Sequence, residues 1–220
     1  MEFLKTDDGS LTLRHEVLGE LYHSDRGAVG EAEHVYIRAG FDAIPKKEET
    51  AVFEVGFGTG LNCYLTYWRA VREHRRVDYA AIDLYPLAPE TVAQLNYTAD
   101  PVFMRLHAVP WDGIVHEIDR DQVFTLAKYK ADLSAFDFSP LVGRFDVVYF
   151  DAFAPDAQPE LWSETIMRQM FAILRPGGIW VTYSAKGIVK QALRAVGFEV
   201  FRLPGALGKR HMVRAVKPMK

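Results

Sequence analysis

A short glycine-rich segment constrains the fold of this chain more than any other feature. Residues 54–62 read EVGFGTGLN; they follow an apolar strand pattern and open a helical one. Glycines at the carboxyl end of a buried strand allow a ligand to approach the backbone closely. The segment therefore predicts a nucleotide-like ligand at this turn. A tight strand-to-helix turn without a ligand would use the same residue types, and that alternative stays open.

The spacing of the glycines distinguishes between two kinds of nucleotide site. The dinucleotide fingerprint G-x-G-x-x-G needs a third glycine where this chain has Leu61, and the observed order is G-x-G-x-G. A pyrophosphate cradle is therefore disfavoured, although an NAD-dependent oxidoreductase or a nucleotide-binding module remains an alternative. The acid before the glycines, Glu54, instead resembles the first motif of class I S-adenosylmethionine-dependent methyltransferases.

Segments rich in Val, Ile, Phe and Tyr alternate with helical patterns, which is typical of a parallel sheet with helices on both faces. The sequence thus predicts an α/β, doubly wound, Rossmann-like sheet. The predicted strands are Thr50–Val55, Val77–Ile82, Val123–Lys130, Phe145–Phe150, Gly178–Ser184, Phe198–Leu203 and His211–Val216. The predicted helices are Leu61–Glu73, Ala88–Asn96, Glu160–Leu174 and Ile188–Val196. The last two strands are too close for a crossover helix, so the final strand is predicted to be antiparallel.

Composition places the chain among single globular domains. The 220 residues are 49% hydrophobic and 25% charged, and no linker or repeat divides them. Residues 1–44 are predicted to form a short β extension or lid, and residues 45–220 the main domain. The absence of a long apolar run or a leader-like start predicts a soluble, cytoplasmic protein without membrane contact. A single cysteine, Cys63, and histidines without paired spacing predict no metal site.

Acidic residues follow two further strands of the predicted sheet. Asp83 ends the second strand, 23 residues after Gly60, where a carboxylate can accept hydrogen bonds from a ribose diol. NAD sites and S-adenosylmethionine sites share this device. Asp132 follows the third strand, at the place where the methyltransferase class often holds the adenine amino group. Either acid alone could be a solvated strand end, whereas acids at successive strand ends beside one glycine loop favour a cofactor site.

The stretch FDAFAP, residues 150–155, lies at the carboxyl end of the fourth predicted strand. It resembles the D-P-P-Y type of motif in methyltransferases that act on amino groups, where a carboxylate or amide oxygen and a rigid proline turn orient the nitrogen. Here the order is D-A-F-A-P, with Asp151 as the acid. A strand followed by a proline turn and a helix N-cap is the alternative explanation.

Several segments together resemble the methyltransferase domain family that completes 5-methylaminomethyl(-2-thio)uridine at the tRNA wobble position. They are the glycine segment, the D-x-F-A-P motif, PELW at 159–162 and RPGG at 175–178, with further likeness at 21–24, 183–187 and 208–212. The chain departs from the family at Ala152, where glycine is common, and at Asp83, where glutamate is frequent. Some members carry a fused flavin-dependent oxidoreductase, for which 220 residues leave no space. The resemblance therefore implies a standalone form that only methylates, with a separate enzyme supplying the aminomethyl substrate.

The resemblance implies attack by a primary amine on the S-methyl carbon of S-adenosyl-L-methionine, without a metal. Asp151 is the expected catalytic residue, chiefly as a group that orients the nitrogen and stabilises the ammonium formed during attack. The expected cofactor contacts are Glu54, Gly56, Phe57, Gly58, Thr59, Gly60, Asn62, Asp83, Asp132 and Asp151. The expected substrate contacts are Phe153, Pro155, Trp162 or Trp111, Lys186, Lys190, Lys209 and Arg210. Tyr22, Ser24, Glu31 and His34 are expected to line the pocket through the resemblance only.

The carboxyl-terminal part of the chain is strongly basic. Residues 175–220 contain ten Lys or Arg and one acid, Glu199, so this tail carries +9 while the chain as a whole carries −3. Such a tail can meet a phosphate backbone, which favours tRNA as the partner, although a solvated basic surface would have the same composition. A methyltransferase for a small amine or a protein side chain is the main alternative.

Overall fold

An eight-stranded sheet forms the centre of the molecule in the computed structural model, which describes residues 1–119 and 123–219. Its strands are β3 (Glu49–Val55), β4 (Arg76–Asp83), β5 (His116–Glu117), β6 (Phe124–Lys130), β7 (Phe145–Phe150), β8 (Leu174–Thr182), β9 (Glu199–Pro204) and β10 (His211–Val216), whereas β1 (Glu2–Lys5) and β2 (Leu11–Arg14) pair apart from it. The α-helices are α1 (Ala28–Ala32), α2 (Leu61–Glu73), α3 (Pro89–Val92), α4 (Pro101–Ala108), α5 (Glu164–Ile173) and α6 (Gly187–Ala195). A π-helix at Glu33–Arg38 follows α1 directly.

The two central strands, β3 and β7, are buried on both faces. Their side chains alternate between two apolar clusters, because successive residues of a strand point to opposite faces. Val52 and Val147 join the cluster on one side of the sheet, whereas Phe53 and Val148 join the other. Burial on both faces explains the continuous apolar sequence of these strands and confirms the predicted α/β class.

The order of the strands across the sheet places the site. That order is β5-β6-β4-β3-β7-β8-β10-β9, so the chain moves outward from β3 on one side and from β7 on the other. Val55 at the end of β3 pairs with Phe150 at the end of β7. Ligands of open α/β sheets bind outside the carboxyl ends of the strands where the order reverses, which here is the crevice between β3 and β7.

The last two strands form the predicted hairpin. β10 pairs antiparallel with both β8 and β9, which confirms the antiparallel final strand. β9 therefore runs in the same direction as β8, and its carboxyl end lies at the same edge of the sheet as the glycine segment. The turn that joins β9 to β10, residues 205–210, is consequently at the edge of the sheet where β3 and β7 end.

Several predicted boundaries are wrong. The predicted helix Ala88–Asn96 shortens to α3, and Glu160–Leu174 divides into a 3-10 turn at Pro159–Trp162 and α5. The break lies at Ser163, whose hydroxyl caps α5 by accepting a hydrogen bond from the Ile166 amide at 3.4 Å. β8 begins at Leu174 and ends at Thr182 rather than spanning Gly178–Ser184. Helix α4 was not predicted, although Asp100 caps it and Pro101 is its first residue.

The amino-terminal segment is part of the packed structure. β1 and β2 form a separate two-stranded sheet, as the predicted β extension required. α1 and the π-helix follow, and Val35, Tyr36 and Phe41 are buried in the same apolar cluster as the central strands. The division of the chain at residue 44 stays a prediction. None of the helices in the described residues is long and apolar enough to span a membrane.

Candidate active site

A cavity of about 510 Å³ lies at the carboxyl ends of the central strands. The loops after β3, β4, β6 and β7 form its floor and sides, and residues 14–25 of the amino-terminal segment cover it. Most of the predicted site residues line this cavity. They are Tyr22, Ser24, Glu31, Gly56, Phe57, Gly58, Thr59, Asn62, Asp83, Asp132, Asp151, Phe153 and Lys209.

Glycines in the glycine segment allow its backbone to lie close to two neighbouring parts of the chain. Gly56 has a φ of +82°, and a Cβ atom there would lie 2.7 Å from the carbonyl oxygen of Asp151. Gly58 has a φ of +49°, and a Cβ atom there would lie 3.1 Å from the Tyr22 ring. These positions therefore keep the backbone of the segment against the loop after β7 on one side and against the cover of the cavity on the other.

Two residues of the segment lie away from the cavity. Gly60 begins α2 beside His107, and Glu54 is completely buried within the sheet. The Glu54 carboxylate accepts hydrogen bonds from Asn62 Nδ2 at 3.0 Å and from the Tyr79 hydroxyl at 2.8 Å. Burial raises the pKa of Glu54 well above its usual range. The geometry thus gives Glu54 a contact with Asn62 rather than a direct place in the cavity wall.

The two other strand-end acids take different positions. Asp83 accepts hydrogen bonds from the amides of Gly58 and Tyr85, both at 2.9 Å, and burial raises its pKa. Each carboxylate oxygen retains capacity for a further donor. Asp132 is exposed at the far wall, where it accepts bonds from the amide and hydroxyl of Ser134. Both acids face the cavity from the ends of neighbouring strands, as the sequence predicted.

Asp151 is held by two side-chain donors. Its Oδ1 accepts a hydrogen bond from the Tyr36 hydroxyl at 2.6 Å, and its Oδ2 accepts one from Asn62 Nδ2 at 2.8 Å. Burial raises the pKa of Asp151 to about 7, against the opposite effect of the two hydrogen bonds. Both the carboxylate and the carboxylic acid are therefore present near neutral pH, which is the condition for exchanging a proton with a ligand.

Three aromatic rings meet at the mouth of the cavity. The Phe153 ring contacts Tyr22 and His15 edge-on, with centroid distances of 5.1 and 5.3 Å. Behind them His23 is buried, with Nε2 2.6 Å from the Thr59 hydroxyl. Burial lowers the pKa of His23 to about 4, so its imidazole is neutral at physiological pH. The cover of the cavity thus meets the glycine segment through the Tyr22 ring and a neutral imidazole.

An ion pair forms another part of the cavity lining. Glu31 is 6% exposed; it accepts hydrogen bonds from the Ser24 amide at 2.8 Å and from Lys209 Nζ at 2.5 Å. The Lys209 ammonium also lies 5.1 Å from the centroid of the Tyr183 ring. Lys209 therefore lines the cavity as part of an ion pair.

Trp162, an expected substrate contact, lies in the apolar core instead of in the cavity lining. Its side chain is 1% exposed, packs edge-on against Phe150, and donates from Nε1 to the Phe153 carbonyl at 2.8 Å. The ring supports the loop after β7 and would have to leave the core to reach a base. Trp111, the alternative, packs against Phe57 outside the cavity lining.

The remaining predicted contacts also lie outside the cavity lining. Pro155 is buried in the loop after β7, and His34 has its Nε2 2.9 Å from the Pro204 carbonyl oxygen. Lys186 forms an ion pair with Asp156. Lys190 follows in α6, and Arg210 is exposed in the turn before β10. The last residue of the basic tail, Lys220, lies outside the described residues.

Three further residues belong to the site without having been predicted: Tyr36, Tyr183 and His15. Tyr36 lies in the π-helix, 115 residues from the carboxylate that it contacts. π-helical turns recur at functional sites, but no local pattern announces one. Tyr183 lines the cavity and donates its hydroxyl to the Ala152 carbonyl at 3.0 Å. Only its place at the end of β8 could have indicated it.

Comparison with known proteins identifies the family. Residues 80–218 match the model of an S-adenosyl-L-methionine-dependent methyltransferase family. The chain belongs to this family. Its cofactor is therefore S-adenosyl-L-methionine, and the family resemblance described from the sequence is confirmed.

Individual relatives are longer than this chain. It is 32% identical over 212 residues to the "tRNA 5-methylaminomethyl-2-thiouridine biosynthesis bifunctional protein MnmC" of Cupriavidus metallidurans, covering 89% of this chain and 31% of that protein. The protein of the same name from Burkholderia thailandensis is 31% identical over 224 residues, covering 94% of this chain and 33% of that protein. The chain thus spans about a third of the length of these relatives.

Solved structures agree on the fold. The crystal structure of MnmC2 from Aquifex aeolicus superposes with a TM-score of 0.79 at 25% identity, covering 100% of this chain and 70% of that one. Spermidine synthase from Thermotoga maritima has a TM-score of 0.53 at 15% identity, over 96% of this chain and 69% of that one, and shows the fold alone. The predicted Rossmann-like sheet with an antiparallel end is confirmed.

The cavity suits the family's cofactor. Backbone is accessible at the glycine segment, carboxylates stand at the ends of β4 and β6, and apolar side chains such as Ile82 and Leu133 line the wall between them. Donors, acceptors and an apolar slot in this order fit a nucleoside with a polar tail. Among the described residues no cluster of three metal-ligating side chains is present.

We predict that Gly58→Val abolishes S-adenosylmethionine binding, because a branched side chain at this position would displace the Tyr22 ring and narrow the cavity beside it. Calorimetry on the folded variant measures this loss. The matched control is Gly143→Val, since Gly143 has a φ of +68° with no atom within 4 Å of an added Cβ. Unchanged cofactor affinity in Gly58→Val would show that the segment is only a turn.

We predict that Tyr36→Phe raises the pKa of the Asp151 carboxyl by about 1, because the ionised form loses a donor that favours it. A ¹³C NMR titration of the carboxyl carbons measures the change without substrate. Tyr149→Phe is the control, since the Tyr149 hydroxyl lies 3.2 Å from the Thr66 hydroxyl and its ring is 5.5 Å from that of Tyr36. Equal titration of Asp151 in Tyr36→Phe and wild type would contradict the assigned role.

Proposed function

We propose that this protein transfers a methyl group from S-adenosylmethionine to the aminomethyl nitrogen of 5-aminomethyl(-2-thio)uridine at the tRNA wobble position. The observation that carries the proposal is the half-buried Asp151 carboxylate, which faces the cavity between two fixed donors. The relatives named above as proteins of tRNA 5-methylaminomethyl-2-thiouridine biosynthesis support the choice of substrate. The cavity serves both the cofactor and the acceptor in this proposal.

Deprotonation of the amine is part of the catalytic task. An acceptor amine with a lysine-like pKa near 10.4 costs roughly 4.6 kcal/mol to deprotonate at pH 7. A free aspartate, with a pKa about 6.5 below that of the amine, is a poor base for it. Burial of Asp151 raises its pKa to about 7, which narrows the gap to roughly 3. We therefore assign Asp151 two roles, orienting the nitrogen and accepting its proton.

The neighbours of Asp151 support these roles. When bound, S-adenosylmethionine supplies the electrophilic methyl group. Tyr36 and Asn62 fix the plane of the carboxylate, so that its remaining acceptor positions point to one place in the cavity. Phe153 and Tyr22 shield that place from water, which strengthens the interaction of the carboxylate with a developing ammonium.

The position of the basic residues supports a nucleic acid partner. α6 begins after the carboxyl end of β8, and the turn at 205–210 follows the carboxyl end of β9. Lys186 and Lys190, near the start of α6, and Arg210, in the turn, therefore lie on the same edge as the cavity. A phosphate backbone that follows this edge would pass the cavity mouth, with the acceptor uridine turned out of its stack into the cavity.

We predict that Asp151→Asn keeps its cofactor affinity within a few-fold of wild type and loses methylation rate by roughly 10² or more. Single-turnover methylation of an anticodon stem-loop carrying 5-aminomethyluridine measures the rate, and calorimetry measures the affinity. Asp156→Asn, an exposed acid of the same loop, is the control. Near-normal rates in Asp151→Asn would remove the acceptor site from this position. Methylation of spermidine but not of the stem-loop would favour the small-amine alternative.

We predict that the double variant Lys190→Gln, Arg210→Gln binds tRNA more weakly at unchanged cofactor affinity. The slope of log affinity against log salt should become less steep by up to about 1.4, at roughly 0.7 for each lost contact to a single-stranded phosphate. Lys46→Gln, Arg76→Gln is the matched control, because Lys46 precedes β3 and Arg76 begins β4 at the opposite edge. Equal slopes in both double variants would place the RNA elsewhere.

A further inference from the structure

The ion pair between Glu31 and Lys209 is a second charged feature of the cavity besides Asp151. The ammonium is 2.5 Å from Glu31 Oε1 and 5.1 Å from the centroid of the Tyr183 ring. Carboxylate and aromatic face together are the groups that recognise an alkylammonium ion. All three side chains line the cavity in which the amine acceptor is proposed to bind.

The Glu31 carboxylate and the Tyr183 ring are held more firmly than the Lys209 ammonium that contacts them. Glu31 lies in α1, is 6% exposed, and its Oε2 accepts a bond from the Ser24 amide at 2.8 Å. The Tyr183 hydroxyl is anchored on the Ala152 carbonyl at 3.0 Å. The carboxylate and the ring are therefore fixed parts of the wall.

Lys209, in contrast, reaches the site from an exposed turn. Its side chain is 40% exposed. The turn at 205–210 is closed by backbone bonds from the Lys209 amide to the Ala206 carbonyl at 2.9 Å and from the Gly205 amide to the Arg210 carbonyl at 3.4 Å, and Arg26 donates to the Leu207 carbonyl at 2.8 Å. A long, flexible lysine side chain can swing out of such a position without breaking the sheet. The ammonium is thus the replaceable half of the pair.

We propose that Glu31 and the Tyr183 ring form a binding site for the primary ammonium of the acceptor on its way to Asp151 in the same cavity, and that the Lys209 ammonium occupies this site until the acceptor displaces it. The proposal rests on the proposed function, because the aminomethyl group of the acceptor carries the same alkylammonium that lysine does. It gives Lys209 a role different from a phosphate contact.

Charge explains why the displacement selects for an amine. A buried carboxylate that loses its cation without receiving another is strongly destabilised. A neutral substituent at the uridine would leave Glu31 unpaired when Lys209 leaves, whereas an aminomethyl group restores the pair. The charges of Glu31 and Lys209 also shift the pKa of Asp151, although burial and the two hydrogen bonds have larger effects. The site is therefore electrostatically coupled to the expected catalytic carboxylate.

Binding of two RNAs tests the site directly. The anticodon stem-loops differ only in the wobble base, 5-aminomethyluridine or 5-methyluridine, and the protein is saturated with S-adenosylhomocysteine. The measured quantity is the ratio of the two affinities, in which phosphate contacts cancel. We expect Glu31→Gln to bring the ratio close to one and Lys209→Met to raise it by roughly tenfold, the scale of one hydrogen bond between charged groups. Lys46→Met should leave it unchanged.

Two results of this experiment would overturn the site. One is a wild-type ratio in Glu31→Gln. The other is an equal loss of affinity for both RNAs in Lys209→Met, which would make Lys209 a phosphate contact only. Methylation of the aminomethyl stem-loop by wild type, measured separately with S-adenosylmethionine, would then leave the proposed function standing.

A small probe separates the site from the RNA substrate. Saturation-transfer NMR should detect binding of n-propylammonium to the Lys209→Met variant. The same measurement should detect no binding of n-propanol to it. The double variant Lys209→Met, Glu31→Gln should bind neither. If the wild-type protein neither binds nor methylates RNA, the proposed function is wrong. The n-propylammonium measurement still shows whether the ammonium site exists. Absence of n-propylammonium binding to Lys209→Met overturns the ammonium site.

Discussion

The side-chain amide of Asn62 holds a buried and a half-buried carboxylate together, and the geometry of the cavity depends on this contact. Its Nδ2 donates to Glu54 on β3 and to Asp151 after β7. Tyr79 on β4 and Tyr36 in the π-helix supply the outer donors. Carboxylates shielded from water persist only with such partners, so the network fixes the two central strands, α2 and the amino-terminal segment relative to one another.

The amino-terminal segment contributes side chains that are integral to the site. Tyr36 donates to Asp151, Tyr22 packs over Gly58, and Glu31 supplies the carboxylate that Lys209 neutralises. The strand ends alone would offer a glycine loop and acids open to water. Packing of this segment over them gives a partly desolvated cavity, in which the raised pKa of Asp151 has its physical origin.

Local patterns predicted the fold better than they predicted the site. The bounds of α2, β7 and β10 follow directly from apolar periodicity and the glycine segment, because burial of the central strands leaves a strong signature. The strand-end acids were predictable for the same reason, since parallel strands bring their carboxyl ends together.

The remaining contacts depend on residues far apart in the chain. Nothing in the sequence near Tyr36 shows that it meets Asp151, or that Lys209 meets Glu31, because these pairs are joined only by the packing of distant elements. Trp162 is the opposite case, in which a local pattern favoured a ligand contact but the side chain packs in the core. Its position beside the motif favoured a ligand contact, whereas a large ring with one donor is equally suited to supporting the loop from within the core.

The contact between Gly56 and the Asp151 carbonyl has a thermodynamic consequence. There is no room for a single methyl group between them, so a shift of the glycine segment toward the loop after β7 must displace that loop as well. A ligand that orders one loop therefore also orders the other. A second ligand then binds a surface whose conformational entropy has already been lost. Linkage makes that coupling reciprocal, so whatever the cofactor contributes to acceptor affinity, the acceptor returns to the cofactor in equal measure.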